Sequence, residues 1–435
     1  VVESMPGVAR PPGIEGQLVV RGSGPQDTAI FIEGISVPIA YHFGGLVSVI
    51  PSDALSQLDF RPGNFGLEYG RAMGGVVDIG LRSPRRDRFG GVVQFDMIDG
   101  RVMLEGPLGQ RTRMMLAARR SWVDAWIGKT SPNIESAPVY YDGQAVIEHD
   151  FSAKTTGKIL FFGSDDRITV FAEARAQDPV GGRLAAQQGF TRLVLRLDSQ
   201  LTERLHFGQT LSWGTERYQF QFGGENSDAF LNSLQSRTEL RLRLHDKVSS
   251  VLGADLMFLR YATEMRIKPY PVDGEVDGPY FARPARTFDA SGWAARPAAY
   301  AMLELTPTKI WRVVPGVRAD YGNDTGFFTF DPRVTTRLDV HPGYPRTTLK
   351  GGAGLFHQPP QPQESIAPFD TPGIESNRAL HSSVGLEQEL LPGLDASLEG
   401  FYKHLSQLIV GYAAEDEAGF GARFANTGRG RVYGG

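Results

Sequence analysis

The chain contains no cysteine, which excludes a disulfide scaffold, a zinc–thiolate site and a thiol nucleophile together. It has no apolar run of the roughly 18 residues that a transmembrane helix needs. Charge of one sign is also missing: 45 Lys and Arg stand against 49 Asp and Glu, for a net charge of −4. A nucleic-acid binder normally shows a basic face, so none is expected here. Val1–Gly16 offers no basic segment followed by an apolar run, hence no signal peptide. Enzyme signatures are lacking too, with no G-x-S-x-G, no P-loop and no G-x-G-x-x-G between strand and helix. Ser23 has no His-bearing segment placed beside it, and the eight histidines show no metal-type spacing. No catalytic residue, metal or cofactor is expected.

Glycine is what the chain has in excess, 52 residues in 435. Each costs ~1 kcal/mol inside a helix, so a compact helical bundle is excluded. Aromatics at 10% and apolar residues at 41% are too plentiful for a disordered chain. Two regimes follow along the sequence. Residues 1–87 mix short apolar runs with Gly/Pro-rich loops, reading as a small α/β or mostly β globular unit with one short helix near Pro51–Gln57. From residue 88 to 435 the pattern has period two. Leu240, Leu242 and Leu244 alternate with Arg241, Arg243 and His245, and Leu193, Leu195 and Leu197 with Arg192, Arg196 and Asp198. In Arg217–Gly223, Tyr218, Phe220 and Phe222 oppose Gln219 and Gln221.

The links between strands are alternately short and long along most of the chain, with Gly322–Phe327 short where a long one is due. Ser152–Thr155, Ser199–Arg204 and His245–Lys247 are short, whereas Ser164–Gln188, Gly223–Gln235 and Thr263–Arg296 are long. This predicts an antiparallel transmembrane β-barrel with turns at one rim and loops at the other. Only a closed barrel pairs every strand inside lipid, and its apolar exterior over a polar lumen yields Leu/Arg alternation. About sixteen strands are expected, fewer than the 22 of plugged transporters. A soluble sandwich or propeller also alternates and is the competing reading. Trp122, Trp126, Trp213, Trp293 and Trp311 fall near expected strand ends, where a lipid interface or a soluble core would each accept them. Asp165–Asp166 reads as a turn. Glu364, Asp370 and Glu415–Glu417 read as solvated loop charges.

Val20-Arg21-Gly22-Ser23, followed by Ile30-Phe31-Ile32-Glu33-Gly34-Ile35, resembles the plug of TonB-dependent outer-membrane receptors. So does Arg61-Pro62-Gly63 with Tyr69-Gly70-Arg71-Ala72-Met73-Gly74-Gly75-Val76-Val77. Leu104–Gly109, Asp331–Arg333, Gly354–Pro360 and Ser383–Lys403 are similar to that family's barrel segments. The motif glycines Gly22, Gly34, Gly63, Gly70, Gly74 and Gly75 suit backbone with positive φ or close packing.

The resemblance implies a plug over 1–87 inside a barrel of the 22-stranded type over 88–435. It implies a bacterial outer-membrane receptor that binds a scarce extracellular ligand and imports it into the periplasm. An iron–siderophore complex is the commonest ligand in the family, and the TonB–ExbB–ExbD complex supplies the energy. Its other partners would be outer-membrane lipid and a small extracellular ligand. A receptor-like barrel for surface signalling or protein export, and a passive porin, are the alternatives. The family's signal peptide, TonB box, first plug segment and closing strands have no counterpart, so the sequence reads as an internal piece of a longer receptor.

Site residues follow from the resemblance. Arg21 and Arg71 match plug arginines that pair with barrel acids, with Glu387 and Glu399 as expected partners. Tyr41, His42 and Phe43 cluster at a plug tip and are expected either to touch ligand or to pack against the barrel wall. His357, beside Pro359 and Pro360 at the start of a long loop, is a further candidate contact or else a surface residue.

Overall fold

The computed structural model describes residues 5–9, 18–43, 47–126, 138–172, 182–222, 224–268, 285–365, 373–413 and 422–435. Its N-terminal unit holds a four-stranded sheet in the order Ile35–Val37, Ala29–Ile32, Val76–Leu81, Leu55–Arg61. Ala29–Ile32 runs parallel to Val76–Leu81, and the other pairings are antiparallel. The β-branched run at 30–35 reverses at Glu33-Gly34, with φ of 53° and 76°, the geometry that a two-residue hairpin requires. The helix expected near Pro51–Gln57 is a single 3-10 turn, Ser52–Ala54, and Leu55 already opens a strand. Pairing of Leu58 and Phe60 with Ile79 and Val77 buries more apolar surface than a lone helical turn could.

Sixteen antiparallel strands, from Gly90–Phe95 to Ala422–Gly434, form one sheet in which each strand pairs with its neighbours in sequence. Those two strands end the sheet, and no ladder joins them among the described residues. Leu240, Leu242 and Leu244 face outward and are exposed, whereas Ser233 and Gln235 on the opposite parity are buried. Ile30, Ile32 and Val77 of the small unit share a core with Met115, Val146, Leu160 and Phe162 of the wall. The unit therefore sits inside the curve of the sheet as a plug.

The strands are longer than the sequence pattern indicates. Thr155–Ala172 and Gly182–Gln200 take up most of the loop expected at Ser164–Gln188. Glu225–His245 does the same to Gly223–Gln235, and Val248–Ile267 and Arg286–Thr308 take up both ends of Thr263–Arg296. Asp165 and Asp166 lie within a strand, opposite Gly189 and Gln188, and not in a turn. The reason is physical. A span needs only about 9–11 residues, so strands of 18 to 23 residues continue well beyond lipid. There both faces meet water, and the ladder persists without apolar alternation. Trp213 and Trp293 consequently lie inside strands, both exposed, while Trp311 opens one.

Candidate functional site

The plug is fastened to the wall by buried charge as well as by the apolar core the two share. Arg71 projects from the Tyr69–Gly75 segment with Nη1 3.3 Å from Asp255 and Nε 3.5 Å from Asp320. Its Nη2 donates to the Arg296 carbonyl at 2.6 Å. Arg318, fully buried, holds the same two carboxylates at 3.0 and 2.7 Å. Four charges of alternating sign thus close on one another, the arrangement that makes a buried pair tolerable. A Cβ on Gly70 would lie 2.2 Å from Arg318 Nε, so only glycine lets the plug approach this closely. Arg333 donates to the carbonyls of Gly66 and Tyr69, both at 2.8 Å, and Lys403 to that of Gly74 at 2.6 Å. Pro62, Gly63, Gly74 and Gly75 lie in the same wrapped segment.

Arg21 Nη2 lies 3.0 Å from Glu399, with its guanidinium 4.3 Å from the Phe401 ring centroid. Arg21 and Gly22 form a turn with φ of 49° and 66°. Among the described residues Glu387 meets no plug arginine. It lies 2.7 Å from Lys350 on the adjacent strand and 2.9 Å from Arg337 on the strand beyond, barrel cations that reach it across the sheet. Arg71 correspondingly draws its acids from Val248–Ile267 and Trp311–Tyr321. Reversing Arg21 to Glu is expected to speed amide exchange over Val19–Ser23 about tenfold, or ~1.4 kcal/mol. The effect is below that of a fully buried pair because Glu399 is partly open to water. Exchange mass spectrometry checks it, and unchanged rates would remove Arg21 from the anchoring set.

His42 has no exposed surface. Its Nδ1 lies 2.6 Å from Asp166 and its Nε2 3.2 Å from Asp142, and its ring stacks on Tyr140 at 4.1 Å. Two ring nitrogens facing two carboxylates call for an imidazolium, which alone donates from both. Burial opposes that charge, but the bonds to Asp142 and Asp166 outweigh it and raise the pKa above 6.5. Arg119 Nε donates to Asp142 at 2.7 Å. Tyr41 is also buried, and Phe43 is half-buried 6.3 Å from Tyr140. All three residues pack between plug and wall. His357, mostly buried, is bonded to Asp331 at 2.5 Å.

Other sequence expectations divide. Glu364 caps the short helix Pro362–Ser365 by accepting from Gln361 N at 2.7 Å. Asp370 and Glu415–Glu417 lie outside the described residues. Among the described residues no group of three His, Asp or Glu could hold a metal. Sequence reasoning missed Asp255, Asp320, Arg318, Arg333 and Lys403. All but Lys403, which stands between Tyr402 and His404, are charges on a strand between apolar neighbours, as Arg318 is between Val317 and Ala319, and that alternation is the signal that marks a lumen residue. Glu33 was seen only as a motif position, yet it accepts from Leu81 N at 2.7 Å and meets Lys158 of the wall at 3.3 Å.

Two cavities separate plug from wall, one of about 240 Å³ towards the long-strand rim and one of about 1350 Å³ towards the short-turn rim.

A family model for the TonB-dependent receptor plug domain matches residues 1–76. A second, described as a TonB-dependent receptor-like β-barrel, matches residues 140–435. No curated protein matches the chain. Among solved structures, a mutant ferric enterobactin receptor of Pseudomonas aeruginosa bound to enterobactin aligns with TM-score 0.72 at 16% identity, over 99% of this chain and 74% of that one. The siderophore receptor PirA of Acinetobacter baumannii gives 0.72 at 15%, over 99% and 74%. The outer membrane transporter YddB of Escherichia coli gives 0.72 at 12%, over 99% and 70%. At these identities the structural likeness speaks for the fold alone.

Proposed function

The chain belongs to the TonB-dependent receptor family, whose members are outer-membrane β-barrel receptors and not enzymes, and from that premise we propose that it imports a scarce extracellular ligand into the periplasm. The observation that carries this reading is the plug itself, a folded unit held inside the barrel by ion pairs and backbone hydrogen bonds. Hydrogen bonds weaken steeply as they are stretched and bent, so a mechanical pull that shifts the plug would loosen these contacts together. A passive pore has no use for such a unit.

The ligand we favour is an iron–siderophore complex, since two of the solved structures with this fold are receptors for siderophores. Energy would come from TonB with ExbB and ExbD. In this reading residues 1–87 act as the plug and 88–435 as the barrel, with Phe43 and His357 the candidates for ligand contact. Growth rescue tests it. An iron-starved host lacking its own siderophore receptors, given the intact protein, is expected to grow on at least one ferric siderophore. Failure with every siderophore class would discard that ligand, and a large, permanently open conductance in a lipid bilayer would favour a porin.

A further inference from the structure

The two cavities are stacked along the barrel axis and meet at a single pair of residues. The outer one is bounded by Phe31, Gly34 and Arg71 of the plug and by Arg237, Asp255 and Met257 of the wall. The inner one takes in Gly34, Arg61 and Tyr69 with Arg237, Glu239 and Arg241. Along the strand Glu225–His245 the lumen-facing positions run Gln235, Arg237, Glu239, Arg241, from outer cavity to inner. Gly34 and Arg237 line both.

Arg237 also differs from most arginines that face the lumen, although the exposed Arg241 likewise has no ion pair among the described residues. Arg192 is paired with Glu216, Arg196 with Asp198, Arg296 with Asp324, Arg318 with Asp255 and Arg333 with Asp331. Arg237 forms no ion pair or hydrogen bond among the described residues, and its Nε is buried without a partner. What holds it are two plug rings, with the guanidinium 5.7 Å from the centroid of Phe31 and 5.9 Å from that of Tyr69. Aromatic faces steady a guanidinium without using its N–H donors. Asp255, the acid of the outer cavity, is already engaged by Arg71 and Arg318.

An always-charged fork of five donors, unpaired at the junction of two cavities, is the donor set that a carboxylate or phosphate fits. We propose that Arg237 is an anion-binding station on the seam between plug and wall, taking the carboxylate or phosphate group of a small solute that passes from the outer cavity to the inner. The proposal rests on the import reading only for the direction of travel, since binding itself needs no TonB.

Calorimetric titration of the purified intact protein with citrate, and separately with inorganic phosphate, tests it. At least one of the two is expected to bind one-to-one and to weaken as salt is added. Citrate binding alone would assign a carboxylate, and phosphate binding alone a phosphate. Arg237→Gln is expected to lower the affinity at least tenfold. If neither anion binds the wild-type protein, or if Arg237→Gln binds as tightly as wild type, the site is overturned while import remains open. Should Arg237→Gln fail to fold, Arg237→Lys decides: several-fold weaker binding supports the forked contact, and unchanged binding overturns it.

Discussion

Arg71→Ala is expected to free the plug's closing segment from the barrel wall, raising amide exchange over Tyr69–Val76 about a hundredfold. The argument is one of uncompensated charge. Arg71, Asp255, Arg318 and Asp320 are all mostly buried, and removing one cation leaves two carboxylates to share Arg318. Breaking a buried pair from one side costs ~3–5 kcal/mol, and the remaining arginine puts this case near ~3 kcal/mol, or about two decades of exchange. A second substitution separates charge from backbone. Arg71 has φ of 61°, a conformation that costs an arginine of order 1 kcal/mol and glycine almost nothing. Arg71→Gly should therefore be milder than Arg71→Ala by about 1 kcal/mol, although both delete the same guanidinium. Exchange mass spectrometry on the purified protein reads both variants. Wild-type protection in Arg71→Ala would mean that the plug is held elsewhere.

The second large effect is a dependence on pH through His42. Its folded-state pKa is raised, because the bonds to Asp142 and Asp166 outweigh the burial that opposes its charge. The stability it supplies is thus complete below the unfolded value of about 6.5 and is lost as pH rises through the folded value. Asp142 and Asp166 on the wall, Arg119 beside them and Tyr140 stacked on the ring are the groups that face it. Docking of the plug strands Tyr41–His42 and Val47–Ser48 should weaken on the alkaline side, read as exchange in these strands corrected for the intrinsic pH effect. His42→Gln should abolish the slope and cost ~3 kcal/mol at pH 6, because two carboxylates lose their cation. A wild-type slope that survives in His42→Gln would assign the pH response to another group.

How far the sequence could be read depended on what each segment touches. Lipid imposes a strict face, so Leu240, Leu242 and Leu244 against Arg241 and Arg243 announce a barrel wall and the side that meets its lumen. Strand number was legible for a related reason: short turns at one rim punctuate the chain regularly. Beyond the lipid the constraint disappears. Gln187, Gln188, Gln219 and Asp228 pair as strand, but nothing in their polarity distinguishes them from loop. Ion pairs across the lumen were the least legible. Arg21 and Glu399, or Arg71 and Asp255, are joined by the seating of the plug and not by any spacing along the chain. Both Glu387 and Glu399 were expected partners, and Glu387 is instead reached by Lys350 on the adjacent strand and Arg337 on the strand beyond. His42 was visible as part of an aromatic cluster, but its two aspartates lie 100 and 124 residues away.

Energised import is the central claim. It is tested most directly by accumulation of a radiolabelled ferric siderophore, identified by growth rescue, in iron-starved cells carrying the intact protein with and without TonB. Uptake several-fold above receptor-free cells is predicted when TonB is present, falling to background when it is deleted. Equal uptake in both strains would contradict the account.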